Sequence, residues 1–186
     1  MNDTVTGQSI AERFAQASTL ENFVGRSVEH GALWHAIITR ARKTEFPEDI
    51  LTRARAIGEP RYVLVLLEDW CGDAVNTAPV IDALGIAVPS ITVRVISRDA
   101  NDDLMQAHLS PRGGRAIPAV IVYDEKFNEI GWWGSRPAAL QKWVDTPDAQ
   151  ALEKKVRYAG ARRWYVQDKG ISTLNELVAI LERKSA

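Results

Sequence analysis

Cys71 is the residue whose type and setting promise the most chemistry in this sequence. It follows the continuous apolar run Tyr62-Val63-Leu64-Val65-Leu66-Leu67 and opens a helical stretch over residues 71–84. Unpaired N–H groups and the dipole at a helix start stabilise an anion. Cysteines in such settings have depressed pKa values, about 3.5–7.5, and the thiolate is the attacking form. Cys71 is therefore a candidate redox nucleophile. A lone cysteine is also a common small buried apolar residue, so its neighbours must decide between the two. Asp73 falls in the first helical turn, where a negative charge suits the dipole but opposes a thiolate close by. It reads equally as a helix cap and as a site residue.

One cysteine excludes an intramolecular disulfide and a multi-cysteine zinc site. His30, His35 and His108 are scattered, and a spacing of five does not stack the first two on one helical face. They read as surface or core histidines, and no metal is expected.

The elements that must position Cys71 follow from hydrophobic spacing. Residues 1–60 are helical: Ile10, Phe14 and Ala17 share a face, and a second stretch covers residues 20–41. Gly25 and Gly31 weaken that stretch, so it reads as one helix or two. Pro47 opens a third helix over residues 48–57, ended by Gly58 and Pro60. The run at residues 62–67 is a strand covered on both faces. The Cys71 helix contains Pro79 and is closed by Gly85 and Pro89. Residues 91–96 form a second strand, and residues 99–109 a short helix with Leu104, Met105 and Leu109 inward. Residues 119–123 and 129–133 form a hairpin around a polar turn. In its second arm Trp132 and Trp133 alternate, one facing the core and the other the surface. Pro137 starts a further helix to about residue 144. The order βαβ, α, ββα predicts an α/β fold: a mixed four-stranded or slightly larger sheet flanked by helices, its first two strands parallel. Residues 61–145 form the core domain. Residues 1–60 and 146–186 are helical extensions, the latter with helices at residues 149–158 and 173–181. Arg162-Arg163-Trp164-Tyr165 lies between those two, read as aromatic packing with solvated arginines in preference to a nucleic-acid contact.

Around Cys71 the sequence reads Trp70-Cys71-Gly72-Asp73, with Pro79 inside the helix, Ile117-Pro118 before the hairpin and Gly134 at its far end. Each is a weak signal alone. In this order and spacing, over roughly residues 61–144, they resemble the thioredoxin superfamily. The chain is similar, more narrowly, to a group of bacterial thioredoxin-like proteins. They share Glu68-Asp69-Trp70-Cys71-Gly72-Asp73, Arg98-Asp99 and Gly113-Gly114-Arg115-Ala116-Ile117-Pro118. The resemblance implies a thioredoxin-like fold with Cys71 as nucleophile. It implies a cis bond at Pro118 and a substrate strand pairing with the backbone at Ile117. Trp70, Gly72, Asp73, Arg115, Ile117 and Pro118 then shape the substrate site, with Trp70 as an apolar wall and Arg115 offsetting Asp73. Two positions depart from the family. Ala74 stands where the second active-site cysteine would fall, and Val65 where the buried carboxylate would fall.

These departures lead to a monothiol thiol–disulfide oxidoreductase. Its mixed disulfide is resolved by an external thiol such as glutathione, with no resident cofactor. The partners expected are protein or low-molecular-weight disulfides. The alternative is a redox-inactive binding module that recognises an extended peptide or partner protein. A glutathione-bridged iron–sulfur cluster is a weaker reading, since the matching glutathione-binding pattern is not evident. No phosphate-binding glycine fingerprint follows the first strand. The formal net charge of -1 gives no global attraction to nucleic acid or anionic membrane. No apolar run is long enough to span a bilayer. The opening residues 1–6 lack the basic and apolar segments of a secretory signal, so the expected location is cytoplasmic. The sequence assigns no oligomeric state.

Overall fold

The structure, a computed structural model, describes residues 8–27 and 29–184. The opening residues read for a leader lie outside the described residues. Four helices come first: α1 (Ile10–Gln16), α2 (Leu20–Val24), α3 (Gly31–Lys43) and α4 (Glu48–Ala56). Then follow β1 (Arg61–Leu67), α5 (Gly72–Ala87), β2 (Ile91–Ser97) and α6 (Asp102–Ala107). The hairpin is β3 (Ala119–Tyr123) and β4 (Glu129–Gly134). The chain closes with α7 (Ala138–Val144), α8 (Pro147–Ala151), α9 (Lys154–Asp168) and α10 (Ile171–Leu181).

The strands form one mixed sheet in the order β2-β1-β3-β4. β1 and β2 run parallel from Arg61↔Ile91 to Leu67↔Ser97. β3 runs antiparallel to β1, with Leu66 opposite Ala119, and β4 antiparallel to β3, with Ala119 opposite Gly134. This is the α/β thioredoxin-like architecture. The central strands are buried on both faces, from Val63 to Leu67 and throughout β3, which is why they read as unbroken apolar runs. One hydrophobic core extends from Phe14 to Leu181 and so includes helices from both ends of the chain. Burying apolar surface at about 25 cal/mol per Å² ties those helices to the sheet.

Several boundaries differ from the sequence reading. Of the two readings of residues 20–41, the two-helix one holds, α2 and α3 being split after Gly25, but α3 runs past residue 41 to Lys43. α5 does not close at Gly85 but runs on to Ala87. A Cβ at Gly85 would lie 2.8 Å from Val93 Cγ2, so this glycine serves the close approach of α5 to β2. α6 starts at Asp102, and Leu109 is half-buried while His108 is buried beside it. Both His108 ring nitrogens have partners, Leu104 O at 2.6 Å and Glu129 Oε2 at 3.1 Å. The greatest change is near the C-terminus, where Arg162 to Tyr165 belong to α9 instead of a connection. Trp133 is buried, and Trp132 is half-buried against His108.

The N-terminal helices do more than cover apolar surface. Ser18 exchanges two backbone hydrogen bonds with Val95, at 3.0 and 2.8 Å, along the open edge of β2. Pairing of this kind shields an edge strand from other chains. Fully buried Trp34 donates its Nε1–H to Asp69 O at 3.0 Å, steadying the loop that leads into Cys71. Among the described residues no helix is long and apolar enough to cross a membrane.

Candidate functional site

The loop after β1 turns at Glu68 to Trp70 and delivers Cys71 to the N-cap of α5. Its geometry is pinned from several sides. Glu68 accepts from Ser97 Oγ at 2.7 Å and from the Asp99 N–H at 2.9 Å. The Cys71 N–H donates to Glu68 O at 3.1 Å, and Cys71 O accepts from the Val75 N–H at 3.0 Å. The thiol is 8% exposed and donates to the carbonyl of Ile117, Sγ to O 3.3 Å. The Ile117–Pro118 bond is cis. Gly134, opposite Ala119, explains how that loop sits so close to β4. A Cβ at Gly134 would collide with Pro118 O, and this is backbone that cannot swing aside.

The first turn of α5 carries a compact charged network. Asp73 Oδ2 lies 2.7 Å from Arg136 Nη2, and Asp73 Oδ1 accepts the Tyr165 hydroxyl at 2.9 Å. Arg136 Nη1 donates to Gln141 Oε1 at 3.2 Å. Arg136 and Asp73 side chains are 23% and 15% exposed, so their attraction is poorly screened. Burial works against the charge of Arg136, but Asp73 first, then Tyr165 and Cys71, together outweigh it and raise the guanidinium pKa. Burial, then the Asp73 carboxylate, pushes the Tyr165 hydroxyl far above the ordinary tyrosine range.

These surroundings change the reading of the thiol. The helix-start position alone predicts a depressed pKa, yet Cys71 is pushed up. Burial is the largest cause, and the Asp73 charge adds to it. The backbone N–H groups of Ala74 and Asp73 and the charge of Arg136 act the other way and are outweighed. The N–H groups that favour an anion are present, but the Ile117 loop covers the sulfur and removes the water a thiolate needs.

The other site residues divide. Trp70 is 46% exposed and forms no part of the core; the Arg98 guanidinium sits 5.1 Å from its ring centroid. A Cβ at Gly72 would meet nothing within 4 Å, so the approach to the helix start is open. Arg115 does not offset Asp73. It pairs with Asp102 Oδ1 at 2.7 Å, because the first turn of α6 offers a nearer carboxylate. The cation that does meet Asp73 is Arg136, which the sequence reading missed, as it missed Tyr165. Ala74 and Val65 are fully buried apolar positions in α5 and β1. The arrangement thus holds one thiol, no second cysteine, and the Ile117 carbonyl, two residues before β3 begins, directly against the thiol. Among the described residues no group of three or more His, Cys, Asp or Glu side chains is placed to hold a metal ion.

The thioredoxin family profile matches residues 23–153, which span α5, the sheet and the charged network except Tyr165. Two solved structures share the fold over nearly the whole chain. One is a protein of unknown function from Pseudomonas aeruginosa, 26% identical, TM-score 0.73, covering 95% of this chain and 98% of that one. The other is an HIV epitope-scaffold, 25% identical, TM-score 0.71, covering 96% of this chain and 100% of that one. No curated protein matches the chain.

Proposed function

Taking as premise that this chain belongs to the thioredoxin family, we propose that it is a thiol–disulfide oxidoreductase working through the single thiol of Cys71. The observation that carries this reading is the seat of Sγ at the start of α5, 3.3 Å from the Ile117 carbonyl. The thiolate attacks one sulfur of a substrate disulfide. That S–S bond breaks, a bond from Cys71 to the substrate forms, and the second sulfur leaves as a thiolate that takes up a proton. Ala74 supplies no thiol to open the new bond. An external thiol such as glutathione attacks the substrate sulfur, frees Cys71 and carries the substrate off as a mixed disulfide. A second external thiol then releases the substrate thiol. In sum two external thiols are oxidised to one disulfide, and one substrate disulfide is reduced to two thiols. A reducing compartment such as the cytoplasm suits this cycle.

The substrate is an extended segment that pairs with the backbone at Ile117. A substrate N–H bonded to the Ile117 carbonyl would take that acceptor from the Cys71 thiol. This loosens the contact that keeps the proton on sulfur, so binding and activation are linked. Pro118 and Gly134 hold the loop in place, and exposed Trp70 with Arg98 flanks the thiol. A hollow of about 560 Å³ beside Ala116 and Arg136 leaves room for the rest of the segment.

A redox-inactive binding module is the second reading, favoured by the covered, neutral thiol. Turnover of a peptide disulfide with added glutathione separates the two. The oxidoreductase reading expects Cys71→Ser to fall to the uncatalysed rate. Equal turnover by both proteins would overturn it, and equal non-covalent peptide binding without any adduct would favour the module.

A further inference from the structure

α9 concentrates positive charge in a chain whose formal net charge is -1. It carries Lys154, Lys155, Arg157, Arg162 and Arg163, and Lys169 follows directly. Among the described residues Lys154, Lys155, Arg162, Arg163 and Lys169 make no salt bridge. The one carboxylate within α9, Asp168, is engaged by Ser172. The inward face of α9 is fully used: Ala161 and Tyr165 are buried and Trp164 packs edge-on against Tyr165.

The outward stripe continues across the fold. Exposed Val166 borders a shallow hollow with Arg162 and Arg163. It also borders a second hollow of about 640 Å³ with Lys169 and with Arg40 and Lys43 of α3. Glu45 is the one carboxylate on that second rim. Its wall includes Tyr165, whose hydroxyl is bonded to Asp73 beside the thiol. Arg162 and Lys169 stand about one helical turn either side of Tyr165, roughly 10 Å apart along α9. The cationic surface therefore lies against the helix start that carries Cys71.

We infer that this α9–α3 surface docks an acidic polypeptide segment flanking the disulfide that Cys71 attacks, an inference that rests on the oxidoreductase reading. Unpaired cations draw an anionic partner from solution and orient it before contact. A polypeptide fits better than the alternatives. Single-stranded nucleic acid stacks on a series of exposed rings, but α9 exposes a single one, Tyr158, with Lys154 Nζ 5.6 Å from its centroid, while Tyr165 is buried and Trp164 is packed edge-on against it. A membrane-surface helix needs a continuous apolar face, and the apolar residues that α9 exposes, Val156, Tyr158 and Val166, are interspersed with Lys155, Arg162 and Arg163 around its outward side.

The test uses two peptides, each with one cysteine capped by neutral 2-mercaptoethanol, one flanked by glutamates and the other by lysines. In each reaction one S–S bond breaks, one forms to Cys71, and 2-mercaptoethanol leaves. Intact mass follows the adduct. At low salt the glutamate peptide reacts about tenfold faster, and high salt or the Arg162→Glu/Lys169→Glu double variant abolishes the preference. Equal rates for the two peptides would overturn the docking inference and leave the thiol reading standing. No adduct with either peptide would overturn the thiol reading. Anisotropy of the labelled glutamate peptide on the Cys71→Ser protein then decides docking. Salt-sensitive binding lost in the double variant supports it, and absence of binding overturns it. Tighter binding of poly-uridine or phosphatidylserine vesicles than of the glutamate peptide would also overturn it.

Discussion

Tyr165 donates its hydroxyl proton to Asp73 Oδ1 at 2.9 Å, joining α9 to the first turn of the helix that begins at Cys71. A hydrogen bond to a charged acceptor is worth about 1.5–3 kcal/mol when it is shielded from water. Tyr165→Phe keeps the ring in its packing place and removes only the hydroxyl. Urea unfolding should show a loss of about 1–3 kcal/mol. A loss within the error of the measurement would mean that the bond does not hold α9 to the site.

Asp73 and Arg136 pull the thiol in opposite directions, which makes a signed prediction. Asp73→Asn removes the charge that opposes the thiolate and leaves Arg136 to favour it. Arg136→Gln leaves Asp73 uncompensated. Alkylation of Cys71 followed against pH reads the effect directly, since no other cysteine is present. In the parent protein the rate should rise with pH through a midpoint above that of free cysteine, about 8.5, because burial disfavours the anion. The midpoint falls in Asp73→Asn and rises in Arg136→Gln. The reverse order, or a parent midpoint in the range of activated thiols, would contradict this electrostatic account.

Gly134→Ala forces a Cβ onto the carbonyl of Pro118. Relief requires the loop against Cys71 or the end of β4 to move. Overpacking of this kind costs about 1–3 kcal/mol, measurable by urea unfolding. Adduct formation between Cys71 and a peptide disulfide should slow in the same variant, because the Ile117 backbone is displaced. Unchanged stability and unchanged adduct rate would show that the close approach is not required.

Much of this arrangement was legible from residue order. The unbroken apolar run at Tyr62–Leu67, the helix start at Cys71 and the polar turn of the hairpin each carry local signals, and the sheet follows from them. Local signals fail where two distant segments meet. Gly85 reads as a helix end, yet it is where α5 touches Val93. Arg115 stands close in sequence to Pro118 and suggests itself as the partner of Asp73, whereas Asp102 takes it. Arg136 reaches Asp73 only because β4 returns beside the Pro118 loop. Tyr165 does so because α9 is continuous through Arg162 and Arg163. The thiol was misread for the same reason. A helix N-terminus is visible in sequence, but the cover supplied by Ile117 is not.

The central claim is that Cys71 can begin an exchange and cannot finish it alone. A single-turnover reaction with a peptide disulfide, followed by intact mass, tests this most directly. The account predicts one peptide held per chain through Cys71, stable on removal of excess peptide and released on addition of glutathione. Absence of an adduct, or its spontaneous loss without any added thiol, would contradict it.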